Sequence, residues 1–359
     1  DGDGDGDIGR AVRELDTPAL WVDLDALDAN IATMMRVCSE AGVDWRPHIK
    51  ASKSPPLAKR LIAGGAVGIT CAKVGEAEVM TDGGIDDILI ANEVIGPQKI
   101  ARLVALARRA TLCVAVDDER NLRELSAASE HAGVNVDVLV DLNVGLARCG
   151  IPPGEAPALA QLVLDLPGVT LRGLMGYEGH VMGISDLEEK DAASHVAADI
   201  LAAAGIEARV RSGGGTGNYW LAAQFGALTE IQAGGGVLMD LTYMESMHVP
   251  GHRFALFLTE QVVSTATLRR AAGDAGWKAM GQHTGRPRVI EPPGVHLRGL
   301  NAEHSIFELD EGTAVAPGDR VTLVPHYSDS TVLLHRRMYA VRDGVVEDVW
   351  PVAAAGMLQ

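Results

Sequence analysis

The sequence predicts an α/β fold, a TIM-like (β/α)8 barrel followed by a C-terminal all-β domain. Three observations predict it. From about residue 19 to about 240, short β-like runs alternate with amphipathic helical runs, which is the grammar of a parallel sheet with crossover helices. Roughly eight such units fit in roughly 220 residues, a density that suits a closed barrel better than the alternative, an open doubly wound sheet. Beyond about residue 250 the helical runs give way to short β runs separated by Gly, Asp and Pro, the sign of a separate all-β domain.

Taken in order, the chain starts with "DGDGDGDIG", a low-complexity acidic stretch expected to be mobile over residues 1–10. Residues 11–25 contain the β-rich "ALWVDLD" and are expected to contribute to the β domain. The barrel is assigned to residues 26–245. Its strand candidates are Trp45–His48, Val67–Cys71, Asp87–Ala91, Thr111–Val116, Val136–Leu142, Thr170–Gly176, Ala208–Ser212 and Glu230–Gln232. Helical patterns lie between them, as in Pro97–Arg109, Glu119–Ala132 and Asp186–Ala204. Residues 246–359 form the β domain, with "SIFELD" and "DRVTLVPH" as strands and "GTAVAPGDRV" as the turn between them.

Composition excludes several function classes. The net charge of −17 argues against nucleic acid and anionic membrane as partners. No apolar run approaches the length of a transmembrane helix, and no basic-then-apolar signal segment opens the sequence. Cys38, Cys71, Cys113 and Cys149 form no CxxC pair and read as free buried thiols of a cytoplasmic protein. Against this acidic background "DWRPHIKASKS" gathers Arg46, His48, Lys50 and Lys53, a local positive charge that calls for a small anionic ligand.

In a barrel of this kind, polar residues at the C-terminal strand ends face the active site. Lys50 follows the first barrel strand, and Arg148 follows "VLVDLNVGLA". "GYEGH" with Tyr177 ends another strand, "SGGGTG" spans Ser212 to Gly217, and "EIQAGGG" contains Gln232. Glycines let backbone N–H groups approach an anion, and hydroxyls of Ser212 and Thr216 add donors, so the late-barrel loop reads as a phosphate site. A plain tight turn is the other reading. A phosphate site together with a strand-end lysine suggests pyridoxal 5'-phosphate, whose aldehyde a lysine amine can bond and whose ring takes up electrons. The neighbouring Arg46, His48 and Lys53 are expected to favour the neutral, nucleophilic amine of Lys50.

The segments "TPALWVDLDALDANI", "RPHIKASK", "VDLNVGLARCGIPPGE", "GLMGYEGH", "SGGGTG", "LTEIQAGGGVLMD" and "DAGWKAM" occur in that order. From Thr17 onward the chain resembles the D-threonine aldolase and D-serine dehydratase family, which has the alanine-racemase-like fold of pyridoxal-phosphate fold type III. The resemblance implies that Lys50 is the aldimine lysine, that Arg148 lies near the cofactor's phenolic oxygen, and that Tyr177 lies at its pyridine ring. It implies Gly214, Gly215 and Thr216 as phosphate ligands, with Ser212 and Gly217 beside them, and Gln232 lining the site. His48 is a catalytic candidate that supports Lys50, and His304 stands at a family-like position, a β-domain packing role being its other reading.

Family members also hold a divalent metal through a His-x-Asp or His-x-Cys element. This chain has "VPHYSDSTV" there. Aligned on "DSTV", Tyr327 takes the histidine's place, His326 comes one residue early and Asp329 matches the carboxylate. The resemblance implies a metal on His326 and Asp329, with Mg²⁺ or Mn²⁺ suited to oxygen donors ahead of Zn²⁺; a weakened or lost site is the alternative. The activity implied is a retro-aldol cleavage of D-β-hydroxy-α-amino acids to glycine and an aldehyde. The alternative is a D-serine or 3-hydroxy-D-aspartate dehydratase releasing an oxo acid and ammonia. A racemase using Tyr327 as a second base and a non-catalytic cofactor-binding protein are further readings. A homodimer is implied by the same resemblance.

Overall fold

The computed structural model describes residues 5–359. It divides into two compact units. One comprises Ala32–Lys50, Pro55–Gly234 and Gly356–Gln359; the other comprises the N-terminal segment through Ile31, Ala51–Ser54 and Gly235–Ala355. The division at Gly234 falls upstream of residue 246, where the composition changes.

Strand β1 (Ala19–Asp23) and helix α1 (Leu24–Ala41) come first. The barrel strands are β2 (Asp44–Trp45), β3 (Ile69–Cys71), β4 (Asp87–Glu93), β5 (Thr111–Val116), β6 (Val136–Leu142), β7 (Val169–Gly176), β8 (Val210–Gly213) and β9 (Glu230–Ile231). Among the described residues these eight form one parallel sheet in the order β2-β9-β8-β7-β6-β5-β4-β3. The remaining seam is closed beyond the end of β2. Trp45 O accepts from Val67 N and Pro47 O from Thr70 N, both at 2.9 Å, and His48 bridges Thr70 in parallel. The sheet is therefore closed, and the barrel expectation holds.

The strands form because they are buried on both faces, as parallel strands require: β5 and β6 are buried along almost their whole length. Leu89, Cys113, Ala115, Leu139 and Met175 form one cluster in this unit. The crossover helices are α2 (Pro55–Ala63), α3 (Val74–Asp82), α4 (Pro97–Leu106), α5 (Glu119–Ala132), α6 (Ala156–Asp165) and α7 (Leu187–Ala202). Their starts are written in the sequence. Asp118 and Asp186 cap α5 and α7 by accepting from Asn121 N at 2.8 Å and Glu189 N at 2.9 Å, and Pro97 opens α4.

In the other unit the strands are β10 (Leu256–Ser264), β11 (Arg270–Gly273), β12 (Arg288–Glu291), β13 (Val295–Leu300), β14 (Ser305–Leu309), β15 (Arg320–Val324), β16 (Arg337–Arg342) and β17 (Val345–Pro351). β1 lies at the centre of the sheet, antiparallel to β10 and parallel to β16. Trp21 stacks on Phe257, its register partner, at 4.6 Å. Asn30 is buried with both ends of its amide used, donating to Val237 O and Arg253 O and accepting from Arg253 N.

The acidic stretch is anchored from residue 5 onward, contrary to the expected mobility; residues 1–4 lie outside the described residues. The Asp7 carboxylate pairs with Arg10 at 2.9 Å and accepts from the Tyr339 hydroxyl at 3.2 Å. Gly9 N and Arg10 O hydrogen-bond to Val346. All four cysteines are free thiols; Cys38, Cys71 and Cys113 are buried and Cys149 is half-buried. Among the described residues no helix is long and apolar enough to cross a membrane.

Candidate active site

Lys50 sits in the 3₁₀ turn Ile49–Ala51 that ends the first barrel strand. The run before it is fixed residue by residue. The Trp45 indole donates to Ala233 O at 2.8 Å, and Arg46 N and His48 N donate to Ile231 O and Gln232 O at 2.9 Å. Gly234 has no room for a side chain, because a Cβ there would overlap the backbone of His48. Lys50 N donates to His48 Nδ1 at 3.3 Å, so that nitrogen is an acceptor and the neutral ring carries its proton on Nε2.

Arg46 is withdrawn from the cation cluster expected around Lys50. Strand alternation turns its buried side chain into an ion-pair triad, with Nε 2.7 Å from Glu230 Oε2 and Nη1 2.7 Å from Asp87 Oδ1.

The glycine-rich loop leaves β8 at Gly213. Ser212 is fully buried, donates to Glu230 Oε1 at 2.7 Å and accepts from Gln232 Nε2 at 3.0 Å; its hydroxyl is engaged within the strand ends. Beyond it Gly214 N donates to Glu178 Oε2 at 3.4 Å and Gly215 N to Asn218 Oδ1 at 3.2 Å. Asn218 in turn donates to Glu178 Oε1 at 2.8 Å and Ser194 Oγ at 3.1 Å. Glu178 is buried, and burial pushes its carboxyl above the usual range. Beneath the loop Lys190 is fully buried with Nζ 3.4 Å from Gly217 O, and burial lowers its pKa. The helix after the loop, α8 (Tyr219–Ala222), is a single turn, so an anion here relies on loop N–H groups far more than on a helix dipole.

Tyr177 packs its ring against this loop: a Cβ on Gly215 would come within 2.9 Å of it. The Arg148 guanidinium lies over the same ring, 5.2 Å from its centre. Arg148 is carried by a loop that Asn143 shapes, accepting from Gly145 N at 3.0 Å and Ala147 N at 3.1 Å. Asp141, Asn143, Leu146, Arg148, Cys149 and Tyr177 line a small pocket at these strand ends. Asp141 is pushed up to about 8, chiefly by burial and then by the charge of Glu93 beside it. Arg148, Tyr177, Gly214 and Gly215 are thus brought together. Sequence reasoning missed Glu178, Asn218, Lys190 and Asp141. Glu178 lies inside the quoted "GYEGH" and was legible as a polar strand-end residue.

In the other unit His326, Tyr327 and Asp329 begin the short helix α9 (Ser328–Val332). His326 Nδ1 lies 2.8 Å from Thr284 Oγ1 and 3.0 Å from Thr242 Oγ1, and the face of its ring packs onto Gly285, where a Cβ would overlap it. The Tyr243 and Tyr327 rings meet edge to face at 5.9 Å. Buried Asp240 accepts from Ser328 N at 2.7 Å, Ser328 Oγ at 2.8 Å and Tyr243 N at 3.0 Å. His304 is exposed at the turn between β13 and β14.

Comparison with known proteins gives this geometry a family. Residues 22–241 match the model of the alanine racemase N-terminal domain, and residues 255–341 match the serine dehydratase domain model. The chain belongs to the alanine racemase N-terminal-domain family. Within it, this chain is 39% identical to the D-threonine aldolase of Arthrobacter sp over 97% of its length and 95% of the relative's. It is 36% identical to the 3-hydroxy-D-aspartate aldolase of Paracoccus denitrificans strain Pd 1222, over 97% and 94%. The structure of the D-threonine aldolase of Filomicrobium marinum superposes with a TM-score of 0.94 at 36% identity, covering 98% of this chain and 99% of the other.

Pyridoxal phosphate, the cofactor of this family's lyases, fits the barrel unit. The donor set is right: a strand-end lysine, glycine N–H groups in a loop where side chains do not fit, and a tyrosine ring with an arginine across it. A divalent metal fits poorly on His326 and Asp329: Tyr327 stands in the histidine's place, His326 Nδ1 is held by two threonine hydroxyls, and no three His, Cys, Asp or Glu side chains among the described residues converge on one point.

Proposed function

We propose that this chain is a pyridoxal-phosphate-dependent lyase that cleaves D-β-hydroxy-α-amino acids to glycine and an aldehyde. The observation that carries the reading is the end-to-end likeness to D-threonine and 3-hydroxy-D-aspartate aldolases over 97% of the chain. When bound, the cofactor supplies an aldehyde carbon for an amine and a ring that withdraws electrons from Cα. Lys50 would hold it through its side-chain amine. The Gly214–Gly217 loop would cradle the phosphate, its shape fixed by Glu178 and Asn218, which accept from Gly214 N and Gly215 N. Tyr177 flanks the ring, and Arg148 places a permanent cation where it lowers the cost of negative charge. His48, whose Nδ1 accepts from Lys50 N, carries its proton on Nε2.

A dehydratase reading has one observation in its favour. The chain is 30% identical to the D-threo-3-hydroxyaspartate dehydratase of Delftia sp. strain HT23 over 88% of its length. Product analysis with D-threonine, D-phenylserine, D-serine and D-3-hydroxyaspartate separates the two. Glycine with an aldehyde is expected; an oxo acid with ammonia overturns the aldolase reading in favour of the dehydratase. The resemblance also carries a homodimer of a cytoplasmic enzyme, and light scattering checks the dimer.

A further inference from the structure

We infer that the His326–Asp329 element binds no divalent metal in this chain, and that Tyr327 is the residue that closes it. The first ground is donor chemistry. A His-x-Asp pair offers an imidazole nitrogen and a carboxylate on the same side of a turn; here the position two residues before Asp329 is a phenol. A neutral phenol is a weak ligand for hard and borderline cations compared with imidazole.

The second ground is geometry. The Tyr327 ring, two residues before Asp329, is packed between the Tyr243 ring and the His283 ring, so a fixed phenol stands where the element would present an imidazole. Tyr243 and Tyr327 meet edge to face at 5.9 Å, which fixes both rings. Small residues make this possible. Gly235 has its Cα against the Tyr243 ring, where a Cβ would approach Cε2 at 2.5 Å.

The third ground is His326 itself, the imidazole one residue early. It cannot substitute by a rotation alone. Its Nδ1 is held between the Thr242 and Thr284 hydroxyls, and its backbone oxygen accepts from Thr242 N at 2.9 Å and Thr242 Oγ1 at 2.7 Å. Gly285 packs over the face of the ring, where a Cβ would overlap it. Turning Nδ1 toward Asp329 breaks its contacts with both threonines. The exposed His283 ring, 6.3 Å from that of Tyr327, does not complete a set of three donors.

The test reads ion binding directly, so it fails or succeeds independently of which products the enzyme makes. Cofactor-loaded wild-type protein, dialysed against a chelator, is titrated with Mn²⁺ while the free-ion signal is followed by electron paramagnetic resonance. No saturable site tighter than roughly 1 mM is expected. The same titration of Tyr327→His, which restores the His-x-Asp spacing, is expected to show one site at least about tenfold tighter than any in wild type. A stoichiometric wild-type site in the low micromolar range that Asp329→Asn abolishes overturns the inference. A folded Tyr327→His variant that gains no site overturns the part assigned to Tyr327. If that variant does not fold by circular dichroism, the wild-type titration still decides whether the element binds metal. Turnover of the chelator-treated wild type is expected to persist; loss that Mn²⁺ restores counts against the inference.

Discussion

Arg46 Nε lies 2.7 Å from Glu230 Oε2, and both side chains are buried where β2 meets β9. The same carboxylate takes the Ser212 hydroxyl on its other oxygen. One residue thus joins three barrel strands next to the proposed cofactor site. Removing one partner of a buried pair leaves the other charge uncompensated. Glu230→Ala is expected to cost about 3–5 kcal/mol, read by urea unfolding. A loss below about 1 kcal/mol would mean that Asp87 alone suffices for Arg46.

Gly234 is the second point at which the seam is sensitive. A Cβ at this position runs into the backbone of His48, whose N–H and neighbouring strand fix the turn of Lys50. Gly234→Ala must displace that strand, and a loss of about 2–3 kcal/mol is expected. Cofactor affinity should fall with it, whereas Gly226→Ala, where a Cβ meets nothing, is a control for simple backbone strain.

Lys50→Ala is expected to abolish the visible absorbance of the cofactor-loaded protein that arises from its bond to an amine. Turnover should drop by roughly a thousandfold or more. An unchanged spectrum would assign that bond to another lysine, with buried Lys190 the first to examine.

Asn218 holds the phosphate loop by linking Gly215 N, Glu178 and Ser194. Asn218→Ala should weaken pyridoxal phosphate binding about tenfold, or ~1.4 kcal/mol, in a fluorescence titration. Fold stability should change far less if the loop, and not the core, is what it supports.

Among the buried acids with raised pKa, two outside the barrel unit make stability depend on pH in an uncommon direction. Burial pushes Asp240 up to about 7 and Glu260 up to about 8, from ordinary values of 3.8 and 4.5. The folded chain keeps these protons while the unfolded chain has lost them, so the unfolded state binds fewer protons between the two values. Their contribution is intact below about pH 4 and is lost as pH rises toward 7–8. Glu260 is the better probe, since Oε2 accepts from Ser305 and Ala275 N while Oε1 is buried with no hydrogen-bond partner among the described residues. Glu260→Gln should flatten the fall in melting temperature across this range, and an unchanged slope would remove Glu260 from the account.

The barrel was legible because its strands are double-sided and its helices amphipathic, so local pattern and global fold agree. Val136–Leu142 and Glu119–Ala132 have the ends that periodicity and capping imply. Lys50 and the glycine loop were legible because strand ends and glycine runs are local signals. Arg46 was misread for a related reason: its neighbours in sequence are cations, but its partners Glu230 and Asp87 come from distant strands. Glu178 and Lys190 belong to the same class, because long-range hydrogen bonds and not their own segments give them a role. The metal reading turns on one position, Tyr327, where a phenol stands in place of the family element's imidazole.

The placement of β1 sets a schedule for biosynthesis. Ala19–Asp23 leaves the ribosome before any of its partners, yet it is the central strand between β10 and β16. At about 5–20 residues per second, on the order of ten seconds or more pass before Leu256 is made. During that interval a strand carrying Leu20, Trp21 and Val22 has both edges unpaired, while the barrel strands already have partners to close on. The nascent chain thus carries a waiting adhesive edge, and slower translation of the barrel lengthens its exposure to chaperones and to other copies of itself.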